Sequence, residues 1–234
     1  MDVITDILNA SDKEYTKKIN ESKFTQTCIQ LEDSYTTINA LFLSLYDPNF
    51  SLLPSKEKSL YMKQKLLQIA TDIDEKSREC YDKFSYNTKF KKNLIQRGLQ
   101  LSDHLSTILY LNDFYGIKTI LVFKDDKFYY ETTPKDKESV YFVYNKSNEK
   151  WSLGSENDID GFNKKSLNEL DIVLVNDVNT DTIYKNYLKP LSSYKVADLQ
   201  ELATNSMISL DNDGKKKTKK SLYDEINLYH LNLI

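Results

Sequence analysis

Apolar residues recur at helical spacing through the first half of the chain. Phe24, Cys28, Leu31, Tyr35, Ile38, Phe42 and Leu45 alternate intervals of four and three. That spacing predicts one apolar seam along a helix from about Thr25 to Leu45. Asp47-Pro48-Asn49 breaks it. Ser55 is placed to cap the next helix, with Glu57 in its first turn and Leu66, Ile69, Ala70 and Ile73 as its stripe. A further helix is predicted after Asn87, carrying Phe90, Leu94, Leu101, Leu105 and Ile108. Two uses of these seams are open at this point: a bundle that packs on itself, or a face of Phe24, Leu31, Tyr35, Ile38, Phe42 and Leu45 that meets another chain.

The period changes near Gly116. Ile117–Phe123 is a β-branched apolar run, Asp125-Asp126 marks a turn, and Lys127–Glu131 reads as its hairpin partner. Ser139–Tyr144 and a segment around Trp151 and Leu153 follow as strands, giving a short antiparallel meander. Asp171–Val175 is a candidate fifth strand. Tyr129, Tyr130, Tyr141 and Tyr144 would lie on this sheet, where tyrosines either half-bury in the core or present faces on which bases stack.

Pro190 marks the next boundary. Ser192 or Ser193 is placed to cap a helix with Val196, Leu199, Leu202 and Ala203 on one face. A loop at Asp211–Gly214 follows, and then a helix carrying Leu222, Ile226 and Tyr229. Between them stand Lys215, Lys216, Lys217, Lys219 and Lys220, five lysines in six residues. Positive charge at a helix N-terminus opposes the macrodipole, and facing phosphates would relieve that cost. The pattern therefore predicts an α+β chain: a helical region over 1–115, a β meander with a connecting helix over 116–189, and a two-helix module over 190–234.

Composition narrows the function. Hydrophobic residues make up 40% of the 234, enough for a packed core. The net charge of −3 rules out a global basic field, so any nucleic-acid contact has to be local; made by lysines in a tail whose acids balance them, it should be weak and without strong sequence preference. Only Arg78 and Arg97 are arginines among 32 basic residues. Lysine, asparagine, tyrosine and isoleucine are abundant while glycine, alanine and proline are scarce, which points to an AT-rich genome. Cys28 and Cys80 share no short spacing, and the acidic, mixed start at Met1–Asp6 predicts no export leader. An intracellular, reducing compartment is expected, in the host cytoplasm or nucleus or within a virion. No apolar run is long enough to span a membrane.

The inventory argues against catalysis. His104 and His230 are the only histidines and have no matched cysteine, so no zinc site is expected, and His104 among Leu101, Leu105 and Ile108 reads as structural. No phosphate-cradling glycine loop or nucleophile elbow occurs. Ser209-x-Asp211-x-Asp213-Gly214 and Glu156-x-Asp158-x-Asp160-Gly161 match the start of a calcium loop, but the position that needs a bidentate acid holds Lys220 in one and Leu167 in the other. No metal, cofactor or catalytic residue is expected, and both segments read as turns.

Tyr194–Ala203, Met207-Ile208, Gly214-Lys215-Lys216 and Lys219–Ile226 together resemble the SAP module and its relatives at the N-terminus of transcription terminator Rho. The resemblance implies two short helices flanking an extended loop, with loop and second-helix start meeting DNA or RNA through Lys215, Lys216, Lys217, Lys219 and Lys220. This chain departs from it by a longer acidic loop before Gly214 and by having no arginine in the second helix. Tyr110–Ile120, Phe128–Thr133 and Trp151 resemble uncharacterised proteins of large, nucleocytoplasmic DNA viruses. That implies a non-enzymatic viral DNA-associated or virion protein. The alternative is a structural interaction protein, a minor capsid or scaffold component that pairs with itself or other virion proteins without binding nucleic acid.

Overall fold

Thr37 has extended backbone (φ −94°, ψ 149°), and its hydroxyl accepts the N–H of Ala40. That cap starts helix α1 at Ile38, so the helix expected over Thr25–Leu45 is interrupted at Thr37. The computed structural model describes residues 37–75, 80–101, 104–170, 173–212 and 214–233. Phe24, Cys28, Leu31 and Tyr35 lie outside them. The described residues form an α+β fold with eight helices, a mixed five-stranded sheet and a two-stranded ribbon, all within one compact unit.

Helix α1 (Ile38–Tyr46) is buried on every side from Ile38 to Ser44, with Phe42 edge-on to Phe142 of the sheet at 5.1 Å. The heptad seam captured only one side of a fully enclosed helix. Asp47 ends α1 and caps α2 (Pro48–Leu52), its carboxylate accepting from the N–H groups of Asn49 and Phe50. The same carboxylate accepts the Tyr61 hydroxyl at 3.0 Å and lies 3.6 Å from Lys65. Helix α3 (Ser55–Asp72) is capped at Pro54, with Ser55 as its first residue and no side-chain cap. Its expected stripe of Leu66, Ile69 and Ala70, followed by Ile73, is buried.

A short α4 (Cys80–Lys83) precedes α5 (Lys92–Gln100) and α6 (Leu105–Tyr115), which replace the single expected helix. Ile95 and Leu99 form the buried face of α5, Leu94 is half-buried, and Leu101 is exposed. The chain turns here so that α5 can pack tightly on α6. A Cβ at Gly98 would come within 2.6 Å of the Ser106 and Thr107 hydroxyl oxygens, so only glycine fits the crossing. Gly116, at φ +70°, closes α6 and passes the chain into the sheet.

Strand β1 (Ile117–Phe123) pairs antiparallel with β2 (Phe128–Glu131), as the hairpin pattern predicts. The antiparallel meander fails beyond that point. Strand β3 (Glu138–Asn145) pairs parallel with the other edge of β1, and β4 (Lys150–Leu153) pairs antiparallel with β3. Strand β5 (Asn163–Lys165) adds parallel to β2, giving the order β4-β3-β1-β2-β5. Asp171–Val175, the candidate fifth strand, is not this strand, and its Asp171 and Ile172 lie outside the described residues. Of that run, Leu174 is buried and Val175 makes one isolated bridge, to His104. Between β5 and the C-terminal module the described residues form short 3-10 turns and no connecting α-helix.

Strand alternation sorts the tyrosines. Tyr130 and Tyr144 point to the aromatic core with Phe123, Phe128 and Trp151. Tyr129 and Tyr141 lie on the opposite face, packed with Ile159 and Phe162 around Ile120, Val122 and Val143. The four do not form a shared open face for bases.

Candidate nucleic-acid interface

The C-terminal module is built on Leu188, Leu199, Ala203, Leu222, Tyr223 and Ile226, which pack into their own small core. Helix α7 (Val196–Asn205) begins after Lys195, whose N–H is accepted by Asp198 at 2.7 Å; Ser192 and Ser193 lie in a 3-10 turn before it and do not cap it. Val196 and Tyr229 are largely exposed, unlike the rest of the expected apolar faces. Strands β6 (Asp211–Asn212) and β7 (Lys215–Lys216) form a ribbon, and helix α8 (Lys219–Asn232) follows, capped by the Thr218 hydroxyl on the Ser221 N–H. The module joins the rest of the chain through the N–H of Leu188 on the Asn227 amide oxygen and the N–H of Asp136 on the Asn232 amide oxygen.

The lysine run divides. Lys217 turns inward, with its side chain 11% exposed, and donates to Glu225 at 2.5 Å. Lys215, Lys216 and Lys220 are exposed and Lys219 is half-buried. None of these four has an ion-pair partner among the described residues. Asp211 is opposite Lys216 in the ribbon register, yet the two form no ion pair. The first turn of α8 contains no acid. Of the expected partner seam, Ile38 and Phe42 are buried in the chain's own core and Leu45 is half-buried.

Two buried polar clusters drew no signal from sequence. In the first, Asp177 caps α6 from 71 residues away, accepting the N–H and hydroxyl of Ser106 at 2.9 and 2.6 Å. His104 Nδ1 lies 3.1 Å from the same carboxylate. The serine hydroxyl thus donates to the acid, so the trio is a helix clip and lacks the relay an activated nucleophile requires. In the second, Asp113 receives Lys135 Nζ at 2.8 Å on one oxygen and the Tyr86 and Tyr184 hydroxyls at 2.7 and 2.9 Å on the other. Burial, then the Asp113 charge, pushes both phenols well above their usual range. With acid and base paired and both enclosed, this cluster fastens the loop between β2 and β3 to the end of α6.

The calcium-like segments are turns of other kinds. Asp158 accepts from the Ser155 N–H and pairs with Lys124 Nζ at 2.5 Å, and Asp211 belongs to the ribbon. Among the described residues no three His, Cys, Asp or Glu side chains converge as a cation site, and no helix is long and apolar enough to cross a membrane. Known protein families, curated proteins and solved structures provide no match to this chain.

Proposed function

We propose that this chain is a non-enzymatic DNA-associated or virion protein of a large DNA virus, whose C-terminal SAP-like module contacts nucleic acid through Lys215, Lys216, Lys219 and Lys220. The helical region before β1 is its packing body. The reading rests on four lysines without acid partners among the described residues, on a ribbon and the adjoining turn of α8. A cluster of unneutralised ammonium groups at a helix start is costly in isolation and favourable against a phosphate backbone. Lysine contacts phosphate as a point charge, so the binding is weak and tolerant of sequence. The lysine-rich, glycine-poor composition of an AT-rich genome supports the viral origin.

The test is an electrophoretic shift of a duplex DNA fragment by the full-length protein at about 50 mM salt. Wild type should retard the duplex, and the Lys215→Ala, Lys216→Ala, Lys219→Ala, Lys220→Ala variant should not. A wild-type protein that leaves the duplex unshifted would favour a structural interaction role, as a minor capsid or scaffold component.

A further inference from the structure

The segment Tyr184–Lys189 is held rigidly from behind. The N–H of Lys185 donates to the Ser85 carbonyl at 2.8 Å, that of Leu188 to Asn227 at 2.9 Å, and that of Lys189 to the Tyr194 hydroxyl at 3.2 Å. Leu188 is buried in the module's core. Lys185, Tyr187 and Lys189, at every second position, are exposed.

Tyr187 is 61% exposed, yet its ring is not loose. It stacks on His230 with centroids 3.5 Å apart and planes inclined by 15°. Tyr229 closes on the same imidazole edge-on, at 5.4 Å and 86°. One face of Tyr187 is backed by His230, and the ring is held at the surface. Lys185 and Lys189, two residues to either side, have no ion-pair partner among the described residues.

We propose that Tyr187, backed by His230 and flanked by Lys185 and Lys189, is a stacking site for a base of a single-stranded nucleic acid. An aromatic ring already fixed by its neighbour loses little freedom when a base stacks on it, and every base offers a π-face. The two lysines supply charge for the adjoining phosphates. In a duplex those faces are occupied by neighbouring base pairs, so the site selects single strands. It is separate from the lysine ribbon: His230 lies ten residues beyond Lys220, about 15 Å further along α8.

The test is fluorescence anisotropy of a labelled dT20 oligonucleotide with the full-length protein at about 50 mM salt. Tyr187→Ala should weaken binding by about 5- to 150-fold, the range for one lost stack, while Tyr187→Phe stays within about twofold of wild type. Replacing Lys185 and Lys189 together by Ala should reduce the salt slope by about 1.4. Binding of a duplex should not respond to Tyr187→Ala. Loss of dT20 binding by the ribbon variant alone would leave the ribbon as the nucleic-acid site and overturn the stacking site, as would Tyr187→Ala binding dT20 like wild type. A wild type that ignores dT20, or a Tyr187→Ala variant that loses dT20 and duplex equally, would overturn it too. Intact dT20 binding by the Lys215→Ala, Lys216→Ala, Lys219→Ala, Lys220→Ala variant, with its duplex binding lost, would support two separate sites; loss of neither would count against the duplex reading and not against this one.

Discussion

Removing the Lys135 ammonium tests how the loop between β2 and β3 is held. Lys135 and Asp113 are each only 4% exposed, and their charged atoms meet at 2.8 Å. The ammonium also lies 4.6 Å from the Tyr184 ring centroid and 5.8 Å from that of Phe84. Lys135→Met keeps the aliphatic stem but leaves a buried carboxylate facing only the neutral hydroxyls of Tyr86 and Tyr184. Breaking a buried pair from one side costs about 3–5 kcal/mol. For a chain of this size that lowers Tm by roughly 6–20 °C. Asp113→Asn should be similarly harmful, because it leaves the cation unpaired. The double variant carries neither charge, so it should be less destabilised than the sum of the singles by about 1–3 kcal/mol. Urea unfolding at neutral pH reads these values through Trp151, the sole tryptophan, which is buried against Phe123 and Tyr144. A Lys135→Met protein within about 1 kcal/mol of wild type, or strictly additive variants, would refute the reasoning.

Alkaline pH should unfold the protein through its buried phenols. Burial, then Glu138, pushes Tyr46 up to about 12, and burial with nearby carboxylates raises Tyr86, Tyr115 and Tyr184. Because the folded values lie above the unfolded value of about 10, stability is intact below pH 10 and falls as pH rises through 12, by up to about 1.4 kcal/mol per pH unit per tyrosine. Tyrosinate absorbance that titrates fully near pH 10 while circular dichroism stays native would contradict this. Gly116→Ala adds a Cβ that touches nothing but sits at φ +70°, so chemical denaturation should show a loss of about 1–2 kcal/mol. Met207 occupies a left-handed position (φ +57°) at the end of α7 and is 94% exposed, so Met207→Gly should raise stability by about 0.5–1 kcal/mol in the same assay. Ile38→Asp places a charge at the buried first residue of α1 and should abolish the native circular dichroism; a folded protein that merely dissociates would show instead that this position serves a partner.

The elements that announced themselves in the sequence are those with local causes. The change of period at Gly116, the Asp47-Pro48 break and the hairpin of β1 with β2 are each set by residues within one turn of the feature. The features that escaped depend on distant partners. A continuous apolar spacing from Leu94 to Ile108 hides the break between α5 and α6, which Asp177 secures from far along the chain. Strand order is invisible to alternation: β3 reads alike on either edge of the hairpin, and its parallel pairing relies on a loop pinned by Lys135 to Asp113. Strand β5 is too short and polar to signal itself. In the candidate interface the lysine cluster was legible as a run, but the diversion of Lys217 to Glu225 was not, because it needs the turn at Thr218 to bring them together. Tyr187 and His230 stand 43 residues apart with no motif between them.

The salt dependence of duplex binding by the full-length protein tests the central claim most directly. With four lysines that have no ion-pair partner among the described residues, and about 0.9 unit per phosphate neutralised, the slope of log K against log salt should approach roughly −3.6. Lys217→Ala should leave that slope unchanged, since Lys217 is committed to Glu225. Replacing Lys216, Lys219 and Lys220 by Ala should remove about 2.7 units. A slope that survives the triple replacement, or no binding at about 50 mM salt, would contradict the account.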